Sequence, residues 1–158
     1  MKILAVDDDP FIRDLLELAL CQTGHRTLEY APSGAAALEL ISEAYEPFSC
    51  FLLDINLPDI DGVELCKYIR EMPSYEDTPI IMVSRLDHRL HLERAIIGGA
   101  TDYVVKPIDR QDVITRIELA ECRRLINEKR RLKSNPRLEQ KTSNAPTLLK
   151  ETDIPVFA

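Results

Sequence analysis

Asp7, Asp8 and Asp9 close the run KILAV, Asp54 closes FLL, Ser84 closes PIIMV, and Lys106 closes YVV just before Pro107. Clustered carboxylates suit a hard divalent cation, which prefers oxygen ligands. One more carboxylate, a hydroxyl and an ammonium beside them make a site for a phosphoryl group, whose spread negative charge needs positive neighbours. None of this chemistry is possible unless residues far apart in the chain converge. The elements between them decide that.

Apolar runs of this length flanked by breakers read as buried strands, and the segments between them carry helical spacing. A repeated β-α pattern predicts a parallel sheet with helices on both faces. The strands are expected at residues 2–6, 26–30, 49–54, 79–83 and 102–105. A first helix opens at Pro10 and stops at Gly24, and a second, capped by Ser33, runs to about Tyr45. A third follows Gly62, a fourth runs from a cap at Asp87 to Gly98-Gly99, and a last one runs from about Asp109 to about Lys133. In such sheets the ligand site lies outside the carboxyl ends of the strands, at the switch in strand order. All four chemical groups lie at those ends. Right-handed crossovers favour the flavodoxin-like order 2-1-3-4-5, which puts Asp7 and Asp8 beside Asp54 with Ser84 and Lys106 on its other side.

A chain of 158 residues with 45% hydrophobic and 30% charged residues suits a single globular core. No stretch is apolar enough to span a bilayer, and the chain enters its first strand without a signal sequence. Cys21, Cys50, Cys66 and Cys122 lack CxxC spacing and read as ordinary thiols, which implies the cytoplasm. The net charge of −7 is uneven: residues 1–122 carry 11 Lys and Arg against 23 Asp and Glu, and residues 123–158 carry 9 against 4. Basic residues from Arg123 to Lys133 fit a solvated helix end, where cations complement the helix dipole. His88 and His91 share a helix face but are too few for a metal site, and His25 falls in a turn.

The strings ILAVDDDP, LLDINLPDIDG, PIIMVS and GATDYVVKP, in this order, resemble the receiver domain of bacterial two-component response regulators over residues 1–122. That resemblance implies an aspartyl-phosphate at Asp54, formed from a sensor histidine kinase or phosphotransfer protein with Mg2+. Asp8 is the expected direct Mg2+ ligand and Asp7 a ligand through water, with Asp54 and the carbonyl of Asn56 completing the set. Asp9 is expected to cap the first helix, and Asp59 and Asp61 to serve as loop and cap residues. Lys106 counters the phosphoryl charge and a cis bond at Pro107 aims it. Ser84 and Tyr103 form the switch: the hydroxyl shifts toward the phosphoryl group and the aromatic ring turns inward. Taken alone, Tyr103 is a strand aromatic with a wet hydroxyl.

Two positions depart from the family's pattern. Arg85 stands where a small residue is usual, and Leu86 where a polar one often places the hydrolytic water. Together they predict slow loss of phosphate. Residues 123–133 extend the last helix, and residues 134–158, rich in polar residues and proline, read as a flexible tail or linker. No DNA-binding domain is expected in a tail of this length. The output is then a protein partner on the face of the fourth helix, fifth strand and last helix, with a homodimer as one form of it. Catalysis is confined to the protein's own phosphorylation and dephosphorylation. Alternatives are a receiver fragment of a larger regulator, a domain that has lost phosphorylation, and a haloacid-dehalogenase-type phosphohydrolase. The last needs a DxDx[T/V] motif, which Asp7 to Phe11 do not supply.

Overall fold

Five parallel strands, β1 (Lys2–Val6), β2 (Thr27–Ala31), β3 (Cys50–Asp54), β4 (Ile80–Ser84) and β5 (Asp102–Val105), pair in the order β2-β1-β3-β4-β5. The computed structural model describes residues 1–20, 26–85 and 89–134. Helices α1 (Pro10–Leu20), α2 (Gly34–Glu43), α3 (Gly62–Glu71), α4 (Arg89–Ile97) and α5 (Arg110–Ser134) alternate with the strands, giving the flavodoxin-like three-layer sandwich. The expected turn at Gly24 and cap at Asp87 lie outside the described residues, as do Cys21, His25, Leu86, His88 and the tail beyond Ser134.

Strands β3 and β4 are buried at every residue, because helices cover both sheet faces and neither needs a polar side. The period-two alternation sorts their side chains into two cores. Leu4, Val6, Phe51, Leu53, Ile80 and Met82 meet Leu65, Ile69 and Ala95 of α3 and α4. Ile3, Ala5, Leu52, Ile81, Val83 and Val104 meet Ile12, Leu16, Val113 and Ile117 of α1 and α5. The edge strand β2 is only half covered. It lies one residue later than its sequence pattern suggests, at Thr27–Ala31, because Val6 pairs with Ala31 and draws that small apolar residue into the ladder.

Helix starts follow capping chemistry. The Asp9 carboxylate accepts from Phe11 N at 2.9 Å, Ser33 Oγ from Ala36 N at 3.2 Å, and Asp61 Oδ1 from Val63 N at 2.8 Å. Helix α2 ends at Glu43, two residues short of the expected Tyr45, whose side chain stands in solvent. Half-buried Arg70 donates to the carbonyls of Gly99, Tyr75, Glu76 and Thr78, tying the end of α3 to the loop before β4 and to the turn before β5.

By contact the chain divides into Met1–Arg124, which holds the whole sheet, and Leu125–Ala158, whose described residues are the last turns of α5. No helix among the described residues is long and apolar enough to cross a membrane.

Candidate functional site

The carboxyl ends of β1, β3 and β5 meet at one ammonium. Lys106 Nζ lies 2.6 Å from Asp7 Oδ2 and 2.8 Å from Asp54 Oδ2, and all three side chains are largely buried. Strand order causes this convergence: β3 is central, so its terminal Asp54 has β1 on one side and β4 on the other. The second oxygens are also held. Asp7 Oδ1 accepts from Asp9 N at 3.0 Å, and Asp54 Oδ1 from Asn56 N at 3.2 Å.

Burial and charge pull against each other here. Burial presses the Lys106 ammonium toward losing its proton, but Asp54 and Asp7 outweigh it and hold the pKa above the ordinary 10.5. Asp7 goes the other way: burial exceeds the help from Lys106 and the Asp9 amide, and its carboxyl titrates above 3.8. Asp8, which is exposed, completes a group whose carboxylate oxygens, one each from Asp7, Asp8 and Asp54, lie within 4.8 Å of one another. Three carboxylates against one ammonium leave a net negative, all-oxygen donor set, which fits a hard divalent cation such as Mg2+. Asn56 lines the same cleft, of about 380 Å³, with Asp8, Asp9, Asp54, Arg85 and Lys106.

On the β4–β5 side, Ser84 is buried and its carbonyl accepts from Lys106 N at 2.9 Å. The Lys106–Pro107 peptide bond is cis. Tyr103 departs from the wet-hydroxyl reading. Only 8% of the residue is exposed, and its hydroxyl is buried without a well-formed hydrogen bond among the described residues. Burial raises the phenol's pKa above 10; the nearby Ser84 hydroxyl opposes this and the Asp54 charge reinforces it. The residue pairs with Met82 across β4 and β5 and belongs to the core cluster that includes Met82 and Ala95.

Two contacts that hold the site carry no local signal in the sequence, although Asp59 itself is expected as a loop and cap residue. The Tyr30 phenol of β2 donates to the Asp7 carbonyl and approaches the Asp9 carbonyl at 3.3 Å, so it clasps the loop that presents the acidic cluster. Burial and the negative charges of Asp7, Asp8 and Asp9 push it up to about 12. Asp59, in the loop after β3, accepts from Gly34 N at 2.9 Å and Ala35 N at 2.7 Å. It thereby fastens the Asn56-bearing loop to the start of α2. Gly62 completes that loop: its N–H donates to the Ile55 carbonyl at 2.8 Å, and a Cβ there would stand 1.8 Å from the Asp54 carbonyl oxygen. Only glycine allows so close a backbone approach.

Residues 3–118 match the family described as response regulator receiver domain. The chain belongs to that family. Similar proteins include a chemotaxis protein CheY homolog of Campylobacter jejuni, 33% identical over 118 residues that cover 75% of this chain and 90% of the relative. Among solved structures, a putative response regulator from Chloroflexus aurantiacus matches with TM-score 0.70 and 32% identity, covering 75% of this chain and 95% of the other. The BeF3-activated receiver domain of DrrB, from Thermotoga maritima, matches with TM-score 0.66 and 30% identity, covering 74% and 93%. This is therefore the receiver domain of a two-component response regulator. The carboxylates, lysine and serine described above lie at the strand ends of that receiver fold.

Proposed function

We propose that this receiver accepts a phosphoryl group on Asp54 from a sensor histidine kinase or phosphotransfer protein and signals through a protein partner. The observation that carries this is the double hold on Asp54, with Lys106 Nζ at 2.8 Å on one oxygen and Asn56 N at 3.2 Å on the other. A carboxylate oriented in this way is a competent nucleophile toward phosphorus. Its oxygen forms the new bond to phosphorus, the P–N bond to the donor imidazole breaks, and the electron pair returns to that ring. Asp8, Asp54 and the Asn56 carbonyl, with Asp7 through water, would hold Mg2+, which would supply countercharge for the transferring oxygens. Lys106 shields the same charge from the buried side. In the phosphorylated state Ser84 donates its hydroxyl toward the new oxygens, and Tyr103 stays packed behind it.

The partner surface is the face of α4, β5 and α5, elements on which Ile96, Val105 and Leu119 are exposed large apolar side chains. Self-association through that face is one form of the output, and the reading places the protein in the cytoplasm. The mark is stable and the only chemistry catalysed is its own formation and loss.

The decisive experiment is incubation of wild type and Asp54→Asn with acetyl phosphate and Mg2+, followed by intact mass. Wild type gains one phosphoryl group and the variant gains none. Phosphate on Asp54→Asn but not on Asp7→Asn would turn the assignment toward the phosphohydrolase chemistry.

A further inference from the structure

We propose that Arg85 is a second phosphoryl-binding cation, serving the outer side of the group that Lys106 serves from within. This rests on the reading that Asp54 carries the phosphoryl group. Arg85 directly follows Ser84 and lines the same cleft as Asp8, Asp9, Asp54, Asn56 and Lys106. Its side chain is exposed and forms no ion pair among the described residues, although three carboxylates line the cleft with it.

Lys106 cannot do the outer work. It is only 11% exposed and bonded to both Asp7 and Asp54, so it is fixed beneath the carboxylates. Phosphorylation replaces a carboxylate of charge −1 by a group of about −2 and moves that charge outward into the cleft. That charge then lies in the cleft that the exposed Arg85 also lines. A guanidinium there offers a planar fork of donors that matches two phosphoryl oxygens, which an ammonium cannot do. Before phosphorylation the same cation faces any divalent ion in the acidic cluster and repels it. Arg85 therefore acts with opposite sign on the two ligands of the site.

That opposition provides the test. Mg2+ affinity is measured by calorimetry, and the affinity for beryllofluoride, a tetrahedral phosphoryl mimic that bonds to a carboxylate, is measured at saturating Mg2+. Arg85→Ala should weaken beryllofluoride binding about fivefold while tightening Mg2+ by up to about twofold, as partly screened charges do. Arg85→Lys should keep wild-type Mg2+ affinity and recover only part of the beryllofluoride affinity. Unchanged beryllofluoride affinity in Arg85→Ala would overturn the proposal, and so would both affinities falling together, which marks damage to the fold. If wild type takes up neither beryllofluoride nor phosphate from acetyl phosphate, the Asp54 reading fails first and this one falls with it.

Discussion

The phenol of Tyr30 and the backbone carbonyl of Asp7 form a direct hydrogen bond between two adjacent strand ends, and the same hydroxyl lies 3.3 Å from the Asp9 carbonyl. A side chain on the edge strand thus fixes the loop whose carboxylates form the acidic cluster. Tyr30→Phe keeps the ring, and with it the stacking of Arg13 at 5.8 Å, but removes the clasp. The expected cost is about 1 kcal/mol of stability, from one net hydrogen bond, with a few-fold weaker Mg2+ affinity. Calorimetric titration checks the second part. Full Mg2+ affinity in a variant that has lost stability would mean that the bond supports the fold and not the site.

Lys106 is the counterion of two buried carboxylates, so Lys106→Met leaves like charges facing each other. Breaking a buried pair from one side costs roughly 3–5 kcal/mol. Denaturant titration without divalent ions should show a loss of that order. Saturating Mg2+ should restore more stability to the variant than to wild type, since it supplies the missing positive charge. An equal Mg2+ effect on both proteins would argue that the ion does not bind beside Asp7 and Asp54.

Gly62 and Gly34 differ in what stands over them. A Cβ at Gly62 meets the Asp54 backbone oxygen at 1.8 Å, whereas one at Gly34 meets the Ile60 Cγ2 methyl at 2.1 Å. A side chain can rotate away and a strand end cannot. Gly62→Ala should therefore lose more than about 3 kcal/mol or fail to fold, while Gly34→Ala should lose roughly 1–3 kcal/mol, the usual range for overpacking. Soluble expression and urea midpoints rank the two, and the reverse order would contradict the geometry.

The sequence made the four strand-end groups visible because each closes an apolar run, and a run that must be buried marks its own end. The strand order followed from crossover handedness, with helices on both faces and a switch between the first and third strands. The role of Tyr30 and the helix that Asp59 caps were hidden for one reason: the partners lie 23 and 25 residues away on other elements, and no local pattern encodes such contacts. Tyr103 was ambiguous because alternation says which face a strand residue takes but not how its hydroxyl is satisfied. Its exposure is decided by Met82, Ala95 and the neighbouring helices.

Asp59 also makes stability depend on acidity. The amides of Ala35 and Gly34 hold its carboxyl below the ordinary 3.8. A depressed folded-state pKa stabilises the fold above the unfolded value, and that contribution disappears as pH falls through the folded value. Asp59→Asn should give a shallower fall in stability than wild type between about pH 5 and about pH 3. Parallel curves would show that this cap adds nothing.

Tyr103 carries two opposed costs of similar size. Enclosing its ring favours the inward pose by about 1.5–3 kcal/mol, and leaving the enclosed hydroxyl without a partner disfavours it by about 1–3 kcal/mol. The two contributions are of the same order, so the hydroxyl opposes the pose that burial of the ring favours. Tyr103→Phe removes only the second cost and should hold the ring inward, giving one set of ring resonances where the tyrosine gives exchange-broadened ones. A perturbation at Ser84 worth a single hydrogen bond, about 1 kcal/mol, then changes the ratio of poses about fivefold. On the proposed switch reading, the response at Tyr103 draws on this opposition between ring burial and hydroxyl desolvation, so a single hydrogen bond from Ser84 is the stimulus to which it answers.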